Sequence, residues 1–213
     1  MRICLLLAGA LASAALYAQP IDNDQVHVIT AHEQPHVKTA LHEHKYNRVM
    51  IYLDAGKQEI VPQSGPKQVL DFKAGEVRWS PVSGLHTSEV VSNAPVTIIE
   101  LEIKKNGPGK TVTTALDPLK VDPQDYKLEF ENPQVRVVRV HMPPHRQVPQ
   151  HEHVLNRVVV YLTDQDGRMI ASDGKVDTAK HKPGEASWGG PVTHREENLM
   201  DKPFEAIVVE FKN

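Results

Sequence analysis

The fold turns on one stretch, Pro143-Pro144-His145-Arg146-Gln147-Val148-Pro149-Gln150-His151-Glu152-His153, and on its echo 109 residues earlier, Gln34-Pro35-His36-Val37-Lys38-Thr39-Ala40-Leu41-His42-Glu43-His44. In an extended strand, residues two apart point to the same face. His151 and His153 therefore project together, and so do His42 and His44. Such a pair can chelate one ion if a third ligand arrives from a neighbouring strand, with imidazole nitrogens about 2.0–2.1 Å from a metal such as zinc. His86 and His194 are the candidates for that third place. They lie 42 and 41 residues after the second His of each pair, each after a Gly-containing turn and a Trp-bearing strand.

The echo extends well beyond the histidines. Residues 21–53 fall on 130–162 without a gap, and 15 of those 33 positions are identical, among them Asn23/Asn132, Gln25/Gln134, Asn47/Asn156, Arg48/Arg157 and Tyr52/Tyr161. Lys73, Gly75, Glu76 and Trp79 match Lys182, Gly184, Glu185 and Trp188 at the same shift, and a one-residue slip then aligns His86 with His194 and Glu89 with Glu197. A repeat of this length is a duplicated domain and not a solenoid unit. The segments Val49–Leu53, Val96–Ile99, Val135–Val140, Arg157–Leu162 and Ala206–Val209 are short, rich in β-branched residues and punctuated by Pro, Gly, Asp and Asn. No amphipathic helix stands out. The chain therefore reads as all-β, a sandwich or barrel made twice.

The expected organisation is a signal peptide over 1–18, a first module over 19–105, a linker over 106–125 and a second module over 126–213. The linker rests on the turn formers Asn106-Gly107-Pro108-Gly109, Asp117-Pro118 and Asp122-Pro123. The strand candidate Tyr126–Phe130 precedes the second copy, and the sequence leaves open whether it completes the first copy's sheet. The leader shows Arg2, an apolar run from Ile3 to Leu16 and small residues before Ala18. The run is shorter than the roughly 20 apolar residues that span a bilayer. The expected product is periplasmic or secreted, with no membrane attachment once the leader is gone. Cys4 is the only cysteine and leaves with that leader, so no disulfide is available. A net charge of −3 argues against nucleic acid. All 12 histidines lie beyond residue 26, which turns attention to metal chemistry.

These motifs resemble the cupin family. Its first motif runs Gly, five residues, His-X-His; here His145 and His36 stand where the Gly is expected. Gly75, Pro81, Gly84 and His86 look like the second motif, and Gly184, Pro191, His194 and Asn198 repeat it. The resemblance implies two tandem cupin-type jelly-roll β-barrels. It implies a divalent metal at His42, His44 and His86 and another at His151, His153 and His194, with iron, manganese, nickel, zinc and copper all compatible with imidazole. The family's metal-binding Glu is replaced by Arg48 and Arg157, which share the parity of the His pairs. An Arg beside a metal favours an anionic ligand, its fork suiting a carboxylate, so a small organic anion is the expected partner. Tyr52, Tyr161 and Glu196 have cavity parity and join Arg48 and Arg157 as candidate ligand-binding residues; the first copy has Ser88 where the second has Glu196. Three-His cupins include dioxygenases, so the resemblance leaves room for an oxidoreductase. The alternative is a non-catalytic sensor or binding module for a sugar or acid, without a functional metal. Homo-oligomerisation is compatible with either. Trp79 and Trp188 read as core or barrel wall, and His27 and His181, without counterparts, read as surface residues.

Overall fold

The computed structural model describes residues 20–107 and 109–212; the leader lies outside the described residues. The first copy forms β1 (Val26–Glu33), β2 (His42–His44), β3 (Asn47–Tyr52), β4 (Gly56–Pro62), β5 (Gln68–Phe72), β6 (Val77–Ser80), β7 (Ser83–Val90) and β8 (Val96–Ile103). They make two antiparallel sheets, β1-β8-β3-β6 and β2-β7-β4-β5. A short helix α1 (Pro118–Val121) follows, and then β9 (Tyr126–Glu131), β10 (Val135–Met142), β11 (Gln147–His153), β12 (Arg157–Tyr161), β13 (Gln165–Ala171), β14 (Val176–His181), β15 (Ala186–Gly189), β16 (Val192–Asn198) and β17 (Phe204–Phe211). Their sheets, β15-β12-β17-β10-β9 and β11-β16-β13-β14, repeat the first order with one strand added. The result is a jelly-roll barrel, twice. No helix among the described residues is long and apolar enough to cross a membrane.

The added strand answers the question the sequence left open. β9 pairs with β10, so it belongs to the second copy's sheet. Asp117-Pro118, read from sequence as a break, opens α1. The Asp117 side chain accepts a hydrogen bond from Leu119 N at 3.1 Å, and Pro118 sits where a helix needs no N–H. The segment is fastened to the second barrel: Glu152 N donates to Leu116 O on the edge of β11, and Arg146 bonds Asp125 at 2.6 Å and Asp122 at 3.1 Å.

Strands β3 and β12 show why their sequences run almost unbroken in apolar residues. Met50 and Tyr52 face the first barrel's interior with Phe72, Val90, Val96 and Ile98. Val49 and Ile51, of opposite parity, join Leu101, Ile103, Val135, Val158, Val209 and Phe211 in a second cluster that draws on both copies. A strand buried on both faces needs apolar residues at every step. The seam is reciprocal. Asn47 Nδ2 donates to Gln134 Oε1 at 2.5 Å, and the repeat-related Asn156 Nδ2 donates to Gln25 Oε1 at 2.6 Å. This contact recurs with the copies exchanged, as across a twofold axis. Gly75 and Gly184, matched in the repeat, both take a positive φ (+78° and +84°) in the turn before β6 and β15.

Candidate metal centres

Antiparallel register delivers the third histidine of each triad. His42 lies opposite His86 on β7, and His151 opposite His194 on β16. With the second His of each pair on the same face, the ligand nitrogens of each triad lie within 4.8 Å of one another, so each triad could hold a metal ion. The second triad is the more deeply buried. The turn that aims each pair begins at His36 and His145, whose φ values are +59° and +55°. Both stand where the motif expects Gly; the left-handed region explains that preference, and His tolerates it better than most side chains.

Hydrogen bonds to the backbone fix most of the imidazoles. Nδ1 of His42, His86 and His151 lies 2.8, 2.8 and 2.9 Å from the carbonyls of Ala40, Gly84 and Pro149. A carbonyl only accepts, so Nδ1 carries the proton and Nε2 offers its lone pair toward the other rings. The second His of each pair uses a carboxylate that the sequence reading missed. His153 Nδ1 is 2.8 Å from Glu210, and His44 Nδ1 is 3.8 Å from Glu102. At 2.8 Å the Glu210 carboxylate accepts a hydrogen bond, and such a partner orients a ligating imidazole and raises its basicity; at 3.8 Å Glu102 is too far for one. Glu102 and Glu210 match only after the one-residue slip that also aligns His86 with His194, and that slip was the available signal. Behind them the copies differ. Glu102 pairs with the half-exposed His27 at 3.2 Å, so His27 is not merely a surface residue. Glu210 pairs with Arg136 at 3.3 Å, and Arg136 with Asp117 at 2.5 Å, all three buried.

Burial favours the neutral form of His44, His153 and His194, the state in which an imidazole binds metal. Burial and then the Arg48 charge bring His44 down to about 3. Burial brings His194 down to about 4, with Glu196 partly opposing. His153 is lowered well below the usual imidazole range by burial and then Arg157. Both ring nitrogens of His194 are buried without a hydrogen-bond partner. Glu196 Oε1 approaches its Nε2 to 3.4 Å without the alignment of a hydrogen bond, and the two form an ion pair only when His194 is protonated. Burial works against the Glu196 charge, but the imidazoles of His194, His151 and His153 when protonated, and the permanent charge of Arg157, hold its carboxyl below the usual range. Tyr126 enters from β9, unnoticed in the sequence: its Oη lies 3.3 Å from His151 Nε2 and donates to Glu196 Oε2 at 3.5 Å.

The remaining candidates all reach a cavity. The first cavity is about 710 Å³ and includes Arg48, Tyr52 and Ser88; the second is about 270 Å³ and includes Arg157, Tyr161 and Glu196. Tyr52 stacks on Phe72 at 4.0 Å. Tyr161 Oη lies 3.0 Å from Ser187 Oγ, and its ring stacks at 3.8 Å on His181, which therefore lines the cavity instead of the surface. Arg48 Nη1 donates to Glu100 at 2.6 Å and to His44 Nε2 at 2.8 Å. The sequence left Arg48 to a bound anion; the chain supplies Glu100 itself. Arg157 has no carboxylate within salt-bridge distance among the described residues and donates from Nη1 to Gly190 O. Trp79 packs against the seam, but Trp188 is 39% exposed and stacks on Phe211 at the second barrel's edge.

No family model matches the chain, and no curated protein matches it in sequence. Solved structures do. AerE from Microcystis aeruginosa aligns over 92% of this chain and 97% of its own at 14% identity, with a TM-score of 0.63. A variant of oxalate decarboxylase from Bacillus subtilis aligns over 89% of this chain and 69% of its own at 16% identity, TM-score 0.61. A cupin 2 conserved barrel domain protein from Leptotrichia buccalis aligns over 90% and 86% at 14% identity, TM-score 0.52. Identities this low speak for fold alone. The chain is a cupin by fold. It carries that fold in both copies, each with a histidine triad able to hold a metal.

Proposed function

We propose that this protein is an exported two-barrel cupin whose second barrel holds a divalent metal at His151, His153 and His194 and takes a small organic anion at Arg157. The observation that carries the reading is the pairing pattern of that barrel. Three imidazoles converge, both nitrogens of His194 lack a hydrogen-bond partner, and Arg157 is buried with one backbone carbonyl as its hydrogen-bond acceptor while the charges of Glu196 and Glu210 act on it from beyond salt-bridge distance. A buried guanidinium without a contacting counter-ion is costly, so an anion bound there is stabilised twice, by the guanidinium and by the ion. One of the aligned oxalate decarboxylase structures is described by its Mn(II) centres, which supports a divalent metal without choosing it here.

A divalent ion at this triad supplies Lewis acidity toward an oxygen ligand. The chain's own groups set what reaches it. A cavity of about 270 Å³ admits only a small molecule. Arg157 offers a carboxylate its remaining N–H donors, Glu210 holds His153 in the tautomer that exposes Nε2, and Tyr126 and Glu196, bonded to each other, line the same cavity. Export rests on the leader pattern of Met1 to Ala18 and requires a mature chain beginning near Gln19.

Calorimetry on zinc-loaded protein with formate, acetate, oxalate and malonate tests the reading. Binding of at least one is expected in the wild type and is expected to vanish in Arg157→Met while zinc content stays unchanged. Failure of all four, or equal binding in the variant, defeats the anion site. Retention of the second-barrel metal by His151→Ala defeats the metal site.

A further inference from the structure

The two triads are superficially alike, yet the arginine that follows each takes a different pose. We propose that in the first barrel the Arg48 guanidinium occupies the cation's place, hydrogen-bonded to the His44 lone pair, and keeps that triad free of metal. This rests on the metal reading of the second barrel and explains why the first would depart from it.

The argument begins with one lone pair. An arginine N–H can only donate, so at 2.8 Å from Arg48 Nη1 the Nε2 of His44 must be the acceptor. A neutral imidazole has a single lone pair in the ring plane, and a metal needs that same pair. The guanidinium also brings a fixed positive charge against one of the three ligand nitrogens, where it repels a divalent ion. For His44 to ligate, Arg48 must leave, and leaving breaks its 2.6 Å bond to Glu100 and its 3.1 Å bond to Ser80 Oγ. Arg48 and Glu100 are both buried. Withdrawal therefore strands an unpaired carboxylate inside the barrel, which is far costlier than losing a surface pair.

Two sequence differences reverse the pose in the second barrel. β3 pairs with β8 as β12 pairs with β17: Met50 lies opposite Glu100, and the repeat-related Val159 opposite Val208. The carboxylate that pins Arg48 is thus a valine beside Arg157. On the other flank Arg48 lies opposite Ser80 and Arg157 opposite Gly189. A Cβ on Gly189 would sit 3.1 Å from the Arg157 Cζ, so the missing side chain makes room for the guanidinium to lie over the backbone and bond Gly190 O. Arg157 makes no hydrogen bond to His153, whose Nδ1 is held by Glu210.

Histidine-selective ¹⁵N NMR during zinc titration of metal-stripped full-length protein reads each triad separately. In the wild type the resonances of His42, His44 and His86 are expected to hold still at zinc levels that shift those of the second triad. In Glu100→Val, and independently in Arg48→Met, the first triad is expected to respond, its zinc affinity rising by at least about tenfold, the lower end of what partners of metal ligands contribute. The inference is overturned if the wild-type first triad takes zinc as readily as the second, or if it stays silent in both variants with the histidine spectrum otherwise native. Silence of the second triad in wild type counts against the metal reading of that barrel and leaves the variant comparison at the first triad to decide this one.

Discussion

The two barrels begin from the same residues and end in different chemistry. Both have three histidines on two adjacent strands, an arginine four residues after the pair and a tyrosine four residues further on. In the first, the arginine is matched by Glu100 and bonded to His44, and the cavity is wide at about 710 Å³. In the second, a carboxylate comes instead from Glu196 on β16, a phenol comes from Tyr126 on β9, and the cavity shrinks to about 270 Å³. The strand order is shared while the pairing of single buried charges is not. In a low-dielectric interior, one carboxylate moved from strand to strand decides what a neighbouring arginine or imidazole can do.

The largest expected difference lies behind the triads. Asp117 reaches from the segment between the barrels to Arg136 at 2.5 Å, and Arg136 reaches Glu210, the partner of His153. Asp117→Ala removes one of Arg136's two carboxylates inside the protein and is expected to cost about 3–5 kcal/mol of stability in urea unfolding. The first barrel ends the same route at His27, which is half-exposed, so His27→Ala is expected to cost no more than about 1 kcal/mol. Similar losses in the two variants would show that Asp117 is not part of a buried relay.

Acid should weaken both barrels next. An unfolded imidazole gains its proton near pH 6.5, whereas folded His194 does so near 4 and His44 near 3. Between those values the unfolded chain binds more protons, so stability of the metal-free protein falls as pH drops from 6.5 toward 4. His153, displaced in the same direction, adds to the fall. For His194 alone the loss is roughly 3 kcal/mol by pH 4, at about 1.4 kcal/mol for each pH step of one between the unfolded and folded values. Urea unfolding at pH 7, 5.5 and 4.5 measures it, and His194→Phe should flatten the slope. A flat profile in the wild type contradicts the burial assigned to these rings.

Much of this was legible in the sequence, and the rest was hidden for identifiable reasons. Strand periodicity and the repeat gave the barrels. The parity of His42/His44 and His151/His153 gave each pair, and a slip of one residue gave His86 and His194. Arg48, Arg157, Tyr52, Tyr161 and Glu196 reach their cavities as parity requires. Parity says which face a side chain takes, but not who meets it there. Glu100 lies 52 residues from Arg48, and only the register of β3 with β8 brings them together. Glu210 and Glu102 were masked by the same slip that revealed the third histidine. Tyr126 looked like an ordinary strand start because its partner, His151, comes from a different sheet.

The smallest expected effect concerns the place where the copies still agree. At the seam, Asn47 bonds Gln134 and Asn156 bonds Gln25, one bond being the other with the copies exchanged. Each amide pair is partly buried between sheets whose apolar faces are already joined by Val49, Val158, Leu101 and Val209. Removing either donor should therefore cost only about 1 kcal/mol, the net worth of a single hydrogen bond. Equality is the informative part. If divergence is confined to the cavities, Asn47→Ala and Asn156→Ala should match within about 0.5 kcal/mol, and the double variant should equal their sum to the same precision, as for sites without shared partners. Asn47 carries one further bond, to Val82 N at 2.8 Å, so an excess loss there of more than that margin would locate an asymmetry at the first barrel's mouth. Strong non-additivity would mean that the two halves of the seam open together. The seam would then be one cooperative unit that couples the first barrel to the second, and the barrels could no longer be treated as separate experiments.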